Sequence, residues 1–184
     1  MMSVREKSLY ESFADLLGFP REDIKLRVQA CTKAIAEHAE YPPEALQEMK
    51  HFGSELEKLT IDDLQGIYSY TFELTSEYTL DLGHYLYDGF KRSNYLASLK
   101  AMYRENEFPF DEVALGELPD HLPVLLRFLS VVKEEDLKKD VRESFVIMAL
   151  EKLNKNFERN RANVYSHLIN AIYRVVDKDV KEVR

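Results

Sequence analysis

Residues 117–129 read Glu-Leu-Pro-Asp-His-Leu-Pro-Val-Leu-Leu-Arg-Phe-Leu, an acidic, histidine-bearing turn that opens onto a nearly all-apolar stretch. Pro119 and Pro123 bracket a helix start, because proline fits a first turn whose N–H groups lack intrahelical partners. Asp120 is the natural N-cap candidate. A helix that is apolar on nearly all sides must be buried centrally. The turn therefore places two carboxylates and a histidine where a core helix meets the surface (Glu117, Asp120 and His121).

Nearly every other segment has the apolar spacing of an amphipathic helix. With 6 Gly and 6 Pro, the chain has few of the turn residues that an all-β fold needs. Period-two alternation and internal repeats are absent from the sequence. We therefore predict an all-α, single-domain bundle of about eight to nine helices over residues 1–184. The helices are expected near residues 4–17, 22–39, 44–59, 60–72, 78–89, 95–103, 122–132, 135–157 and 163–176, with 107–118 as the longest loop.

Two local patterns refine these helices. The segment Thr60-Ile61-Asp62-Asp63 resembles a capping box with Asp in the Glu position. In the helix predicted at 135–157, the helical spacing of four apolar residues predicts one stripe facing the core (Leu137, Val141, Phe145 and Met148).

Charge and cysteine content restrict the function classes. The net charge is −8, from 33 Asp and Glu against 25 Lys and Arg, which argues against nucleic acid as the main partner and is compatible with a basic one. Cys31 is the only cysteine, so an internal disulfide and a thiolate metal cage are excluded. Its position on a helical apolar stripe predicts a buried structural thiol. Because we find no apolar signal segment and no run of roughly 20 apolar residues, we expect a cytoplasmic protein without stable membrane insertion.

Signals for catalysis are few. The chain has no Gly-rich phosphate loop, Gly-x-Ser-x-Gly elbow or His-Glu-x-x-His motif, so we expect no enzyme activity and no bound cofactor. Asp120 and His121 do not suit an acid–base pair, because adjacent helical side chains point about 100° apart.

Two carboxylate-x-x-His motifs leave a metal alternative open. Glu48 and His51 form one, Asp81 and His84 the other, and paired Glu-x-x-His motifs are typical of di-iron helical bundles. The second motif belongs to a longer polar stripe (Glu77, Asp81, His84 and Asp88). One motif carries Asp and the other lies in a mostly charged stretch, so solvent-facing stripes are the favoured interpretation. A ferritin-like di-metal enzyme is the alternative.

Peptide recognition is the function that the turn at 117–123 favours. Glu117 and Asp120 would offer carboxylates to a basic ligand, while Leu122, Leu125 and nearby aromatic residues would contact its apolar side chains. Charge-assisted hydrogen bonds from Arg are strong and often bidentate. The turn therefore predicts a site for an arginine-containing peptide, and a generic helical interaction module is a third alternative.

With these segments in view, the chain resembles the redox enzyme maturation chaperones of the NarJ/TorD type, and especially the delta-subunit-like assembly chaperones of respiratory nitrate reductase. The resemblance covers most of residues 5–130 and rests on five segments: Leu9-Tyr10 through Leu16-Leu17 with Pro20, Leu64 through Glu73, Tyr78-Thr79-Leu80 with His84 through Gly89, Leu96 through Tyr103, and Glu117 through Pro123 leading to Phe128-Leu129.

The resemblance implies an all-helical, TorD-like, cytoplasmic and non-catalytic chaperone. Such proteins bind the N-terminal, often twin-arginine, leader of a molybdoenzyme catalytic subunit, hold that subunit for cofactor insertion, and then dissociate. By position, Asp120 and His121 match the peptide-binding pair of the family, and Tyr68 and Phe72 match aromatic positions on its groove helix. The expected peptide site comprises Tyr68, Phe72, Tyr78, Leu82, Glu117, Asp120, His121 and Leu125.

Two features depart from the family pattern. Arg127 stands where an acidic residue often follows the turn, and the region after residue 130 carries no matching motif. The loop at 107–118 is long enough for segment exchange, so we expect a monomer or a weak, domain-swapped homodimer.

Overall fold

The regular elements of the protein are helices throughout residues 8–182, the part of the chain that the computed structural model describes. The predicted all-α class is confirmed. The start of the first predicted helix, near Val4, lies outside the described residues. The elements are α1 Leu9–Leu16, α2 Ile24–Glu37, α3 Pro43–Leu56, α4 Ile61–Tyr68 with a π turn at Ser69–Glu73, a 3₁₀ turn at Leu82–Tyr85, α5 Gly89–Glu105, α6 Phe110–Ala114, α7 Leu122–Val131, α8 Glu135–Val141, a π turn at Arg142–Val146, α9 Ile147–Glu158, and α10 Tyr165–Glu182.

Helix α7 lies in the centre of the core, as predicted. Leu122, Leu125 and Phe128 have no exposed surface. Helix α1 packs along α7. Arg127, the basic interruption of the apolar run, pairs with Asp15 of α1 at 2.9 Å. The residue that departs from the family pattern thus links two packed helices.

A second group of helices forms where α10 packs against α3 and α9, and α2 also packs against α3. Tyr165, at the start of α10, is fully buried. Its ring contacts Phe52, Tyr68 and Phe72. Aromatic packing therefore joins α3, α4 and α10.

The predicted thiol environment is confirmed. Cys31 is 1% exposed on α2. Burial raises the pKa of the Cys31 thiol to about 12, so the thiol stays protonated at neutral pH.

The segment predicted as one helix at 135–157 is a single rod, but a π turn at Arg142–Val146 interrupts its regular winding. A π turn adds one residue to the turn, so apolar residues beyond it shift along the sequence. Accordingly Val141 and Phe145 are buried, whereas Met148 is 49% exposed and Ala149 takes the inward position. The prediction of Met148 as a core residue was wrong for this reason.

Residues 78–89 do not form the predicted helix. They contain an isolated antiparallel bridge from Asp81 to His121, followed by the short 3₁₀ turn Leu82–Tyr85. Conversely, the predicted loop at 107–118 contains the short helix α6. Apolar spacing predicted a helix at 78–89, but main-chain pairing with a distant segment formed instead.

Of the two N-cap predictions, the one for α4 is confirmed and the one for α7 was wrong. Thr60 and Asp63 form the predicted reciprocal capping box at α4. At α7 the N-cap position is held by His121, and the Asp120 side chain points elsewhere. Among residues 8–182, no helix combines the length and apolar character needed to cross a membrane.

Candidate functional site

Two segments that are 40 residues apart in sequence meet beside the start of α7. The Leu82 N–H donates to the Asp120 carbonyl at 3.0 Å, and the Leu122 N–H donates to the Leu80 carbonyl at 2.8 Å. These bonds flank the bridge between Asp81 and His121. Two of the five segments on which the family resemblance rests therefore form one structural unit, residues 80–83 together with residues 120–122.

The side chain of Asp120 points into the protein from this unit, and the residue has no exposed surface. One carboxylate oxygen accepts hydrogen bonds from the Gly83 N–H at 2.9 Å and from Arg92 Nη2 at 3.2 Å. Burial raises the pKa of the Asp120 carboxyl, and the nearby Arg92 charge offsets only part of that rise. The expectation of an open Asp120 carboxylate at a groove mouth was wrong, because this carboxylate is already paired inside the protein.

The contact between Asp120 and Gly83 leaves no room for a side chain. A Cβ atom added to Gly83 would lie 2.5 Å from the Asp120 carboxylate oxygen Oδ2. Glycine at position 83 is therefore required by the close approach of this carboxylate.

The rim of the unit is more accessible. His121 Nδ1 lies 2.9 Å from Asp81 Oδ1 and 3.8 Å from Glu117 Oε2. Arg92 Nη2 lies 3.9 Å from Asp81 Oδ2 and thus contacts the rim as well as Asp120. The Glu117 side chain is 58% exposed, and those of Asp81 and His121 are partly exposed. We call these five residues the acidic cluster (Asp81, Arg92, Glu117, Asp120 and His121).

The cluster contains residues that the sequence did not assign to the site. Asp81 was noted only as part of a metal motif with His84 and of a polar stripe, and the helical spacing of both does not apply to this non-helical segment. Arg92 gave no local signal, because only tertiary contact brings α5 beside Asp120.

The predicted aromatic and aliphatic site residues are core residues. Tyr68, Phe72, Tyr78, Leu82 and Leu125 are each at most 9% exposed. The Tyr68 hydroxyl donates to the Leu17 carbonyl at 3.0 Å. These five side chains do not line an open groove, which corrects that part of the expected site.

A cleft does open on α4, but other residues line it. Ile67, Tyr70 and Thr71 face a cavity of about 660 Å³ that Asn163 closes from the other side. The Tyr70 ring is 63% exposed. On this helix, Tyr70 is therefore the aromatic residue that is accessible to a ligand.

Apolar surface also lies next to the acidic cluster in sequence. Phe90, at the start of α5, is 81% exposed, and Leu115 and Leu118 are 86% and 39% exposed on either side of Glu117. Leu115 ends α6 in the left-handed backbone region. These three side chains are exposed apolar surface, whereas the apolar residues expected at the site are buried.

The 77–86 segment is also held by hydrogen bonds from α9. Tyr85 donates through its hydroxyl to the Thr79 carbonyl at 2.8 Å. From α9, Asn156 donates to the Glu77 carbonyl at 2.8 Å and Lys152 to the Tyr85 carbonyl at 2.9 Å. The segment is thus bonded both to the turn at 120 and to α9.

Within residues 8–182, two groups of residues have metal-ligating atoms within 4.8 Å of one another: Asp81, Glu117 and His121, and Glu48, His51 and His167. The two motifs of the di-metal alternative thus contribute to different groups. His84 belongs to neither group, and its ring contacts Tyr85. A ferritin-like centre built from both motifs is not the arrangement found in residues 8–182.

Two buried tyrosines allow a matched test of how the turn is held. The Tyr103 hydroxyl donates to the Pro119 carbonyl at 2.7 Å. The Tyr165 hydroxyl is buried and finds no hydrogen-bond partner among the described residues. We expect Tyr103→Phe to lower the free energy of unfolding by about 1 kcal/mol, and Tyr165→Phe to leave it unchanged or raise it. Urea denaturation measures both, and equal losses would contradict the assignment of the Tyr103 bond.

The fold and the acidic cluster describe an all-helical protein with a fixed, negatively charged turn next to its central helix. The family model described as nitrate reductase delta subunit matches residues 30–170, so the chain belongs to this family. It is a family of molybdoenzyme assembly chaperones. No curated protein matches the chain.

The family match confirms the resemblance to the nitrate reductase delta-subunit chaperones, and it covers a partly different range of the chain from the segments recognised in the sequence. It includes both segments of the site unit and continues past residue 130 into α10, where no motif was recognised from sequence. It begins at residue 30 and thus omits the Leu9–Pro20 segment.

Proposed function

We propose that the protein binds the N-terminal, twin-arginine-type leader of a molybdoenzyme catalytic subunit such as that of nitrate reductase. It holds that subunit in the cytoplasm for cofactor insertion, before membrane attachment or export, and performs no catalysis itself. It acts as a monomer or a weak, domain-swapped homodimer. The observation that carries the proposal is the acidic cluster, at the turn that the family match includes.

Electrostatics support a basic ligand. Three carboxylates against the one guanidinium of Arg92 leave a formal surplus of two negative charges in the cluster, with His121 neutral. The whole chain carries −8. Such a surface attracts a cationic segment over a Debye length of about 8 Å at physiological salt.

The carboxylates have different roles in this proposal. Glu117 and Asp81 are accessible and accept hydrogen bonds from a leader arginine. Asp120 is a positioning residue, because its bonds to Gly83 and Arg92 fix the two segments that present the accessible carboxylates.

Apolar contacts supply affinity beyond charge. An amphipathic leader would use apolar anchors for affinity, and Phe90, Leu115 and Leu118 offer exposed surface next to Glu117 and Arg92 in sequence. Because a leader is disordered when free, its ordering cost keeps the affinity moderate.

Fluorescence anisotropy with labelled leader peptides tests the proposal. We expect Glu117→Lys to weaken binding by about tenfold, because the reversal removes one attraction and adds a repulsion. Replacing the peptide's two arginines with glutamine should remove most of the difference between wild type and variant. Raising the salt concentration should weaken binding to the wild type.

The control is Glu22→Lys, which makes the same charge change in the exposed turn between α1 and α2. We expect this variant to bind like the wild type. Equal weakening by both substitutions would show that overall charge, and not the acidic cluster, attracts the peptide. No binding of any leader from a panel of molybdoenzyme catalytic subunits would reject the proposed function.

A further inference from the structure

A second cluster of polar side chains lies where α3 packs against α10. Glu48 and His51 stand three residues apart on one face of α3, and His167 faces them from α10. His167 Nδ1 lies 2.6 Å from Glu48 Oε2, and the centres of the two imidazole rings are 5.4 Å apart. One ligand atom from each of the three residues falls within 4.8 Å of the other two.

The Glu48 carboxylate is held in place before any ligand arrives. Arg161, from the connection between α9 and α10, donates to Glu48 Oε1 at 2.9 Å. The other oxygen, Oε2, therefore points to the histidine. Burial acts to raise the pKa of Glu48, but hydrogen bonds from His167 and Arg161 outweigh it and lower that pKa, so the carboxylate is ionised at neutral pH.

The cluster has an open side. The Glu48 and His167 side chains are 13% and 16% exposed, while His51 is exposed at the surface. An ion can therefore reach the cluster past His51 without any opening of the α3–α10 interface. Three protein ligands with one free coordination position are typical of an accessible zinc site.

We propose that Glu48, His51 and His167 bind one divalent transition-metal ion, with Zn²⁺ as the preferred class of ion. Two imidazoles and one carboxylate form a ligand set suited to zinc, nickel, cobalt or iron and poorly suited to Mg²⁺ or Ca²⁺. The ion replaces the hydrogen bond between His167 and Glu48, and Arg161 keeps its bond to the remaining oxygen as the outer partner of the ligating carboxylate.

The second candidate group, at Asp81, Glu117 and His121, is less suited to such an ion. It offers one imidazole instead of two, and the Arg92 guanidinium lies 3.9 Å from Asp81. The metal site is thus separate from the acidic cluster and does not depend on leader binding.

Bound metal would cross-link α3 to α10. Because the unfolded chain does not hold the three ligands together, binding energy adds to the stability of the fold. We expect zinc to raise the melting temperature of the full chain in proportion to the logarithm of its concentration.

The experiment uses the untagged chain of residues 1–184 after dialysis against a chelator. Isothermal titration calorimetry with ZnCl₂ should give one site per chain. The visible absorption of added Co²⁺ should show tetrahedral or five-coordinate d–d bands with nitrogen and oxygen ligands. His51→Ala should weaken zinc binding by about tenfold or more, since even the outer partners of metal ligands contribute that much. His51 is exposed, so this variant should keep the fold.

The matched control is His38→Ala. His38 forms a pair with Glu40 at 2.9 Å, so it presents an imidazole and a carboxylate, and no third ligand lies close to them in the described part of the chain. We expect this variant to bind zinc like the wild type. Lowering the pH from about 7.5 to about 5.5 should release the metal, because imidazoles bind protons in its place. The charged neighbours of the two imidazoles include Arg161 and Glu55, and the hydrogen bond from Lys58 lowers the pKa of the Glu55 carboxyl.

Two results would overturn the proposal. Zinc binding that is equal in the wild type and the His51→Ala variant would place the ion elsewhere. Absence of a one-to-one zinc isotherm and of a Co²⁺ spectrum for the wild type would show that Glu48, His167 and Arg161 form a structural ion-pair network only.

Discussion

Asp120→Ala is expected to lower the free energy of unfolding by about 3 kcal/mol. The substitution leaves the buried Gly83 N–H without its acceptor and removes the nearer carboxylate partner of Arg92. Breaking a buried ion pair by removing one partner typically costs about 3–5 kcal/mol. The Arg92 side chain is 26% exposed and can turn toward water or Asp81, so the lower end of that range applies. Urea denaturation followed by circular dichroism measures the change.

Asp120→Asn separates the charge from the hydrogen bond. Asparagine still accepts from Gly83, so we expect a smaller loss than for alanine. The sign of its pH dependence follows from the raised pKa of the Asp120 carboxyl. Because the folded protein binds this proton more tightly than the unfolded chain does, protonation of Asp120 stabilises the wild-type fold. This stabilisation is fully present below the usual pKa of 3.8 and is lost as the pH rises through the raised pKa.

The difference in the free energy of unfolding between the wild type and Asp120→Asn should therefore shrink between about pH 4 and pH 7, since asparagine resembles the protonated acid. A deficit that grows over this range would show that Arg92 stabilises the ionised form more than burial destabilises it. A loss of less than about 0.5 kcal/mol for Asp120→Ala would show that the carboxylate does not fix the unit.

Gly83→Ala is the second substitution with a large expected effect. The added Cβ would lie 2.5 Å from Asp120 Oδ2, so the carboxylate or the chain must move. Either movement strains or breaks the bonds from Asp120 to Gly83 and Arg92. We expect a loss of about 3 kcal/mol in the free energy of unfolding, from overpacking together with the weakened hydrogen bonds. Thermal and urea unfolding measure it.

Gly66→Ala provides the matched control. An added Cβ at Gly66, inside α4, meets none of the described atoms within 4 Å, apart from the backbone of its own helix. Alanine in a helix interior is favoured over glycine, so we expect a gain of about 0.5–1 kcal/mol. If Gly83→Ala unfolded at the same urea concentration as the wild type, the close packing of Asp120 against Gly83 would be disproved.

The helical architecture was predictable because its signals are local. Apolar spacing gave nearly all of the helices, the composition of α7 predicted its burial, and the Thr60–Asp63 pattern predicted the start of α4. The error at 78–89 has a different origin. Leu82 and Leu86 have helical spacing, but Leu80 and Leu82 pair with residues near 120, and such pairing depends on the whole fold.

The site was predictable in position more than in geometry. Sequence singled out Glu117, Asp120 and His121, and the structure brings them into one cluster. The sequence did not predict that Asp120 is buried, because an aspartate before a helix looks the same in sequence whether it caps the helix or pairs with Arg92. The aromatic residues illustrate the same limit, since tyrosine is suited both to grooves and to cores.

The main-chain bonds between residues 80–82 and 120–122 have a consequence for the thermodynamics of recognition. Together with the bonds from Asn156 and Lys152 to the 77–86 segment, they preorganise the turn before any client arrives. A preorganised receptor loses little conformational entropy on association. In the leader complex proposed above, the entropic cost would therefore fall on the client segment, and a client with a stiffer N-terminus would be bound more tightly through the same contacts.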